Sequence, residues 1–111
     1  MKLIGSRTEA IRRVQLLNSE SLINENPIIV NFLNKQYGNI RSVYALAHTP
    51  EQGVDIYRLI INGNLIIGFE LSHIDNQISE IFDMSVEYYS KQLNSKSDKL
   101  DLAIVLDLAN N

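Results

Sequence analysis

The dipeptide Asn62–Gly63 lies between two apolar runs, VDIYRLII and NLIIGFELSH. A type I′ turn needs positive φ at both central residues, and Asn-Gly supplies it at little steric cost, so the two runs are predicted to fold back on each other as an antiparallel hairpin. If Asn62 and Gly63 form the whole loop, Ile61 faces Asn64, Ile60 faces Leu65, Arg58 faces Ile67 and Ile56 faces Phe69. One side of the hairpin then carries Val54, Ile56, Arg58, Ile60, Leu65, Ile67, Phe69 and Leu71, a core face for helices to cover. Arg58 within it must reach the edge or find an acid, because a buried unpaired charge is costly. The other side carries Asp55, Tyr57, Leu59, Ile61, Ile66, Gly68 and Glu70. There the register sets Asp55 against Glu70 and Tyr57 beside the space left by Gly68.

Around this hairpin the pattern is helical. Ser6 and Glu9 have capping-box spacing, and Ala10, Ile11, Val14 and Leu17 recur at helical intervals. The polar run NSESLINEN predicts a connecting turn. A second helix has a sharper start, because Asn26 can cap it and Pro27 suits its first position, and Gly38 can close its far end. From Ile40 the period shortens to two: IRSVYALAH reads as a strand running into the loop-like TPEQG. Beyond the turn SHIDNQ, QISEIFDM forms a fourth strand or begins a helix, since Ile81 breaks the alternation of Ile78, Glu80, Phe82 and Met84. Ser85 can cap a short helix VEYYSKQL, and Ser97 a last helix DKLDLAIVLDLA. The expected fold is α+β over a single domain, 1–111. It has two N-terminal helices, an antiparallel meander of three or four strands over 40–84, and two C-terminal helices packed on the sheet.

Charge is segregated within a formal net of −3. Residues 1–50 hold six Lys/Arg and three acids, whereas residues 51–111 hold four Lys/Arg and ten acids. Six of those acids fall within 55–87 against the single base Arg58, a local balance of −5 that repels phosphate backbones. Nucleic acid is therefore not an expected partner; Arg7, Arg12 and Arg13 form a small basic cluster without aromatic stacking platforms. The absence of cysteine excludes disulfides, thiolate metal ligands and thiol nucleophiles. MKLIGSRTEAIRR has too short an apolar stretch for a signal peptide, and no run approaches the roughly 18 apolar residues of a membrane span. The expected compartment is the cytoplasm.

A catalytic kit is missing. No serine sits in a Gly-x-Ser-x-Gly elbow, and no glycine-rich loop follows a strand to cradle a phosphate. His73-x-Asp75 offers two metal ligands where a stable site needs three or four. Asp55 with Glu70 is the one carboxylate pair that the hairpin suggests for acid–base work, with no nucleophile beside it. Enzyme activity, a bound metal and a cofactor are all left out of the expected function.

VDIYRLIINGNLIIGFEL, followed by the tail VEYYSKQLNSKSDKLDLAIVLDLA in a short, acidic, cysteine-free chain, resembles the small immunity proteins that bacteria pair with secreted toxins, particularly those of contact-dependent growth inhibition systems. The resemblance is one of architecture and charge and transfers no residue roles. It implies a protein that binds its cognate toxin inside the cell and blocks the active site; many such toxins are nucleases with basic clefts. The acidic segment then supplies the expected partner-binding residues: Asp55, Tyr57 and Glu70 on the second sheet face, with Asp75, Asp83 and Glu87 beyond it. The alternative is a small ligand-binding or structural domain that pairs with itself across that face.

Overall fold

The computed structural model describes residues 7–110 and is α+β as expected. In chain order the elements are α1 (Arg7–Asn24), α2 (Pro27–Tyr37), β1 (Val43–Glu51), β2 (Val54–Ile61), β3 (Leu65–Ser72), β4 (Ile78–Ser85), α3 (Val86–Gln92) and α4 (Lys96–Ala109). The strands form one antiparallel sheet in the order β1-β2-β3-β4. Segment 78–85 is thus a strand. The NSESLINEN turn is not formed, because α1 runs through it to Asn24; the capping residue Ser6 lies outside the described residues. TPEQG is also shorter as a loop than expected: β1 continues to Glu51, and only Gln52 and Gly53 turn.

Helix starts follow the capping chemistry. Asn26 Oδ1 accepts the N–H groups of Ile28 and Ile29, and the Gly38 N–H closes the far end of α2 on Asn34 O. Ser85 Oγ accepts from Tyr88 N–H at the start of α3. The cap of α4 is Ser95 rather than Ser97: Ser95 Oγ accepts from Asp98 N–H at 3.0 Å, while the Ser97 hydroxyl accepts from the Arg12 guanidinium.

Between β2 and β3, Asn62 and Gly63 both have positive φ, +53° and +67°, and Asn64 N–H donates to Ile61 O at 3.1 Å. The hairpin is therefore present, but its register is not the expected one. Ile61 pairs with Leu65, Leu59 with Ile67, Tyr57 with Phe69 and Asp55 with Leu71, which leaves Asn64 as a third loop residue. A slip of one residue exchanges the faces of β3 relative to β2. The turn is anchored from outside the hairpin. Asn62 Oδ1 accepts the N–H groups of Arg41 and Ser42, and Asn62 Nδ2 donates to Asn39 O at 3.0 Å. The slip also removes the expected clash, because Asp55 and Glu70 now lie on opposite faces.

Both faces are covered. Leu59, Ile61, Ile67, Phe69 and Leu71 pack under Ile29 and Leu33 of α2, with Ile23 from the end of α1. On the other face Tyr44, Ile60 and Ile66 pack against Tyr89 of α3 and Leu102, Ile104 and Val105 of α4, with Leu16 of α1. Arg58 finds an aromatic ring rather than an acid, its guanidinium carbon 5.6 Å from the centre of Tyr89. Helix α1 lies against β1 and contributes to both cores. At the β1 bulge around Leu46, Ala45 N–H donates to Ser19 Oγ at 3.0 Å, so one edge of the sheet is closed by a helix.

Candidate functional site

The tips of the two outer hairpins meet. Gly53 turns β1 into β2, and its carbonyl accepts the His73 N–H at 2.8 Å from the β3–β4 turn. That contact brings two imidazoles to one carboxylate: His48 Nε2 lies 3.2 Å from Asp55 Oδ1, and His73 Nε2 lies 2.9 Å from Oδ2. Burial pushes the Asp55 carboxyl up, but hydrogen bonding and electrostatic attraction to His48 and His73 outweigh it, and its pKa falls below the usual carboxylate value. A carboxyl depressed by folding stabilises the protein above its unfolded pKa of about 4, and that stabilisation is lost as pH falls through the lower folded value. Asp55→Asn should therefore lower stability by about 1 kcal/mol at neutral pH, with the difference shrinking below about pH 4. Denaturant titrations of both proteins across that range test it; a difference independent of pH would show that the charge contributes nothing.

Asp55 is thus held by its own chain, and Tyr57 is equally occupied. Tyr57 is only 8% exposed, with the His48 ring stacked on one side (centroids 4.5 Å apart, planes 6° apart) and Phe69 on the other at 5.3 Å. It is a core residue in this fold rather than a free aromatic anchor, because α2 covers its face; a copy pairing across that face would first have to displace the helix. Glu70 is half-buried on the opposite face, across from Ile56 and Ser79. Asp75 is exposed and tied to its own turn, its Oδ1 accepting from Gln77 N–H at 3.0 Å. Asp83 and Glu87 are exposed, the first on β4 and the second in the first turn of α3. The six expected residues therefore do not form one patch.

The surface that does stand open is β4. It is the terminal strand on the side away from α1, and no strand pairs with its outer edge among the described residues. Ile81 and Phe82 are exposed along it, flanked by Glu80 and Asp83. Phe82 pairs with Gly68, and its ring lies over that glycine, where any Cβ would collide with it. Gly68 thus makes room for Phe82 and not for Tyr57. Opposite Phe69 the strand bulges, with Glu80 at φ +54°, and this extra residue is why Ile81 falls out of the alternation. The irregular spacing was the sequence signal for this surface.

Chemically, an Asp–His pair can orient an imidazole for proton transfer, but a reaction also needs a group to receive it. In the groove beside His48, Ser19 donates its hydroxyl to Leu16 O and accepts from Ala45 N–H, which leaves it committed to structure. No group of three His, Cys, Asp or Glu among the described residues is arranged to hold a metal ion. None of the described helices is long and apolar enough to cross a membrane. No family model, curated protein or solved structure matches the chain.

Proposed function

We propose that this protein is an immunity protein that binds a basic toxin, of the nuclease type, and occludes its active site through the open edge formed by β4 and the start of α3. The observation that carries the proposal is the exposure of Ile81 and Phe82 on a strand edge that no other strand pairs with among the described residues, with Glu80, Asp83 and Glu87 around them. Exposed apolar side chains beside unsatisfied strand amides and carbonyls form a surface that invites a partner, and natural folds usually cover such edges. The surrounding acids select a cationic one, since opposed potentials raise association rate and specificity more than they raise final affinity.

The test is co-expression with a candidate basic toxin domain drawn from the gene's own neighbourhood, followed by binding kinetics. Growth protection is expected, with an association rate that falls as salt rises. Asp83→Lys together with Glu87→Lys should slow association by about tenfold while leaving the melting temperature near that of the parent, because both residues are exposed. An association rate insensitive to salt and to these reversals would remove the mechanism.

A further inference from the structure

Asn62–Gly63 is the one Asn-Gly pair in the chain, and the pair has a second chemistry besides the turn. Glycine has no Cβ to shield its backbone nitrogen, so that nitrogen can reach the carboxamide of the asparagine before it. Attack of the deprotonated Gly63 nitrogen on Asn62 Cγ forms the C–N bond of a five-membered imide. The Cγ–Nδ2 bond breaks, and the proton given up by Gly63 is made good on the departing ammonia. Water then opens the imide at either carbonyl, which leaves aspartate or isoaspartate at position 62. One water is consumed and one ammonia released.

In the folded chain both reacting groups are held away from this path. Asn62 Oδ1 accepts the Arg41 N–H at 2.6 Å and the Ser42 N–H at 3.2 Å, and Nδ2, the leaving nitrogen, donates to Asn39 O at 3.0 Å. The carboxamide is thus fixed to the segment before β1, and its reaction would break that attachment. The backbone is held as well. Asn62 N–H donates to Ser42 O at 2.9 Å, while positive φ at Asn62 and Gly63 and the Asn64 N–H on Ile61 O mark a type I′ turn. Ring closure needs the Gly63 nitrogen swung onto the Cβ side of Asn62, a ψ that such a turn does not have.

We propose that Asn62 is a covalent modification site that the fold keeps closed: it is deamidated through the cyclic imide only when the hairpin unfolds, and the product cannot rebuild the junction. Aspartate keeps an acceptor for Arg41 and Ser42 but sets its second oxygen against the Asn39 carbonyl, where Nδ2 had donated. Isoaspartate is worse. It routes the main chain through Cβ and Cγ, so the turn gains a backbone atom and loses the side chain that held the segment before β1. Unfolding is then followed by a one-way chemical change, a recognised route to irreversible loss of the native state. The inference rests on the turn alone and is independent of the function proposed above.

The test incubates the full chain in mildly alkaline buffer, folded and in guanidinium chloride, and follows position 62 by peptide mass spectrometry. The unfolded chain should convert there about tenfold faster or more. Isoaspartate should be among the products, since direct hydrolysis of the side chain gives only aspartate. Asn94–Ser95, exposed between α3 and α4, is the internal reference, and its rate should differ far less between the two conditions. Phe69→Ala weakens the packing of β3 and should speed conversion at position 62 in native buffer by about tenfold or more, because the unfolded population rises. Modified chain returned to native buffer should melt below the parent. Equal rates at position 62 in the two conditions overturn the proposal. So does conversion of Phe69→Ala at the parent rate, or a modified chain that regains the parent melting temperature.

Discussion

Phe69→Ala should lower the unfolding free energy by about 3–5 kcal/mol, the range for truncating a fully enclosed aromatic residue. Phe69 is 1% exposed and lies on the sheet face beneath α2. Its ring is 5.1 Å from Phe32 and 5.3 Å from Tyr57, with His48 stacked beyond Tyr57. Removing it leaves a cavity between the helix and the sheet and takes away the support on which Tyr57 rests. Phe69→Leu keeps most of the volume and should cost less than half as much. Denaturant midpoints at constant slope measure both changes. A loss near that of an exposed truncation would mean that α2 does not close over this face. Because the ring chain ends at His48, the alanine variant should also loosen the imidazole on Asp55, seen as a smaller stability difference when Asp55→Asn is added to it than when made alone.

Gly63→Val should be the second largest loss, about 2–4 kcal/mol, from two causes at one atom. Gly63 has φ +67°, a conformation that a β-branched residue strongly resists. A Cβ there would also lie 2.9 Å from Ala109 Cβ, at the end of α4. Chemical denaturation of Gly63→Ala, alone and with Ala109→Gly, separates the causes: the second change should recover the steric part and leave the backbone part. If Gly63→Val left the midpoint unchanged, the Asn62–Gly63 turn could not have the geometry described.

The second variant shows why the hairpin was legible and its register was not. Positive φ at Asn62 and Gly63 is a local demand, met by the two residues themselves. Whether Asn64 joins the ladder or the loop is decided elsewhere, by Asn62 hydrogen-bonding to Asn39, Arg41 and Ser42 before β1. Hydrophobic patterning offered no correction, because β2 and β3 are apolar on both faces: Leu59 and Ile61 point one way, Ile60 and Ile66 the other. With both faces buried, alternation loses its meaning as a signal of inside and outside. The expected site inherited that error. Asp55, Tyr57 and Glu70 were grouped by a register one residue away from the real one, whereas the actual neighbours of Asp55 are His48, inside β1 because that strand runs on through the expected TPEQG loop, and His73 in the β3–β4 turn.

Helix α1 shows the same division at larger scale. Its periodicity marked a helix correctly, but a stripe of apolar residues does not say which way it faces. Arg12 and Arg13 are committed to Asp101 and Asp107, some ninety residues later in the chain, and those pairings turn Val14 outward. Local chemistry, acting over four residues or fewer, was enough to decide that the chain caps α2 at Asn26 and α3 at Ser85, turns at Gly63 and sets an antiparallel meander between two pairs of helices, while β4 itself was left open between strand and helix. The register of β3, the outward stripe of α1, the clasp around Asp55 and the open edge of β4 were settled only in the folded chain, because each depends on contacts between segments whose separation in sequence carries no spacing to read.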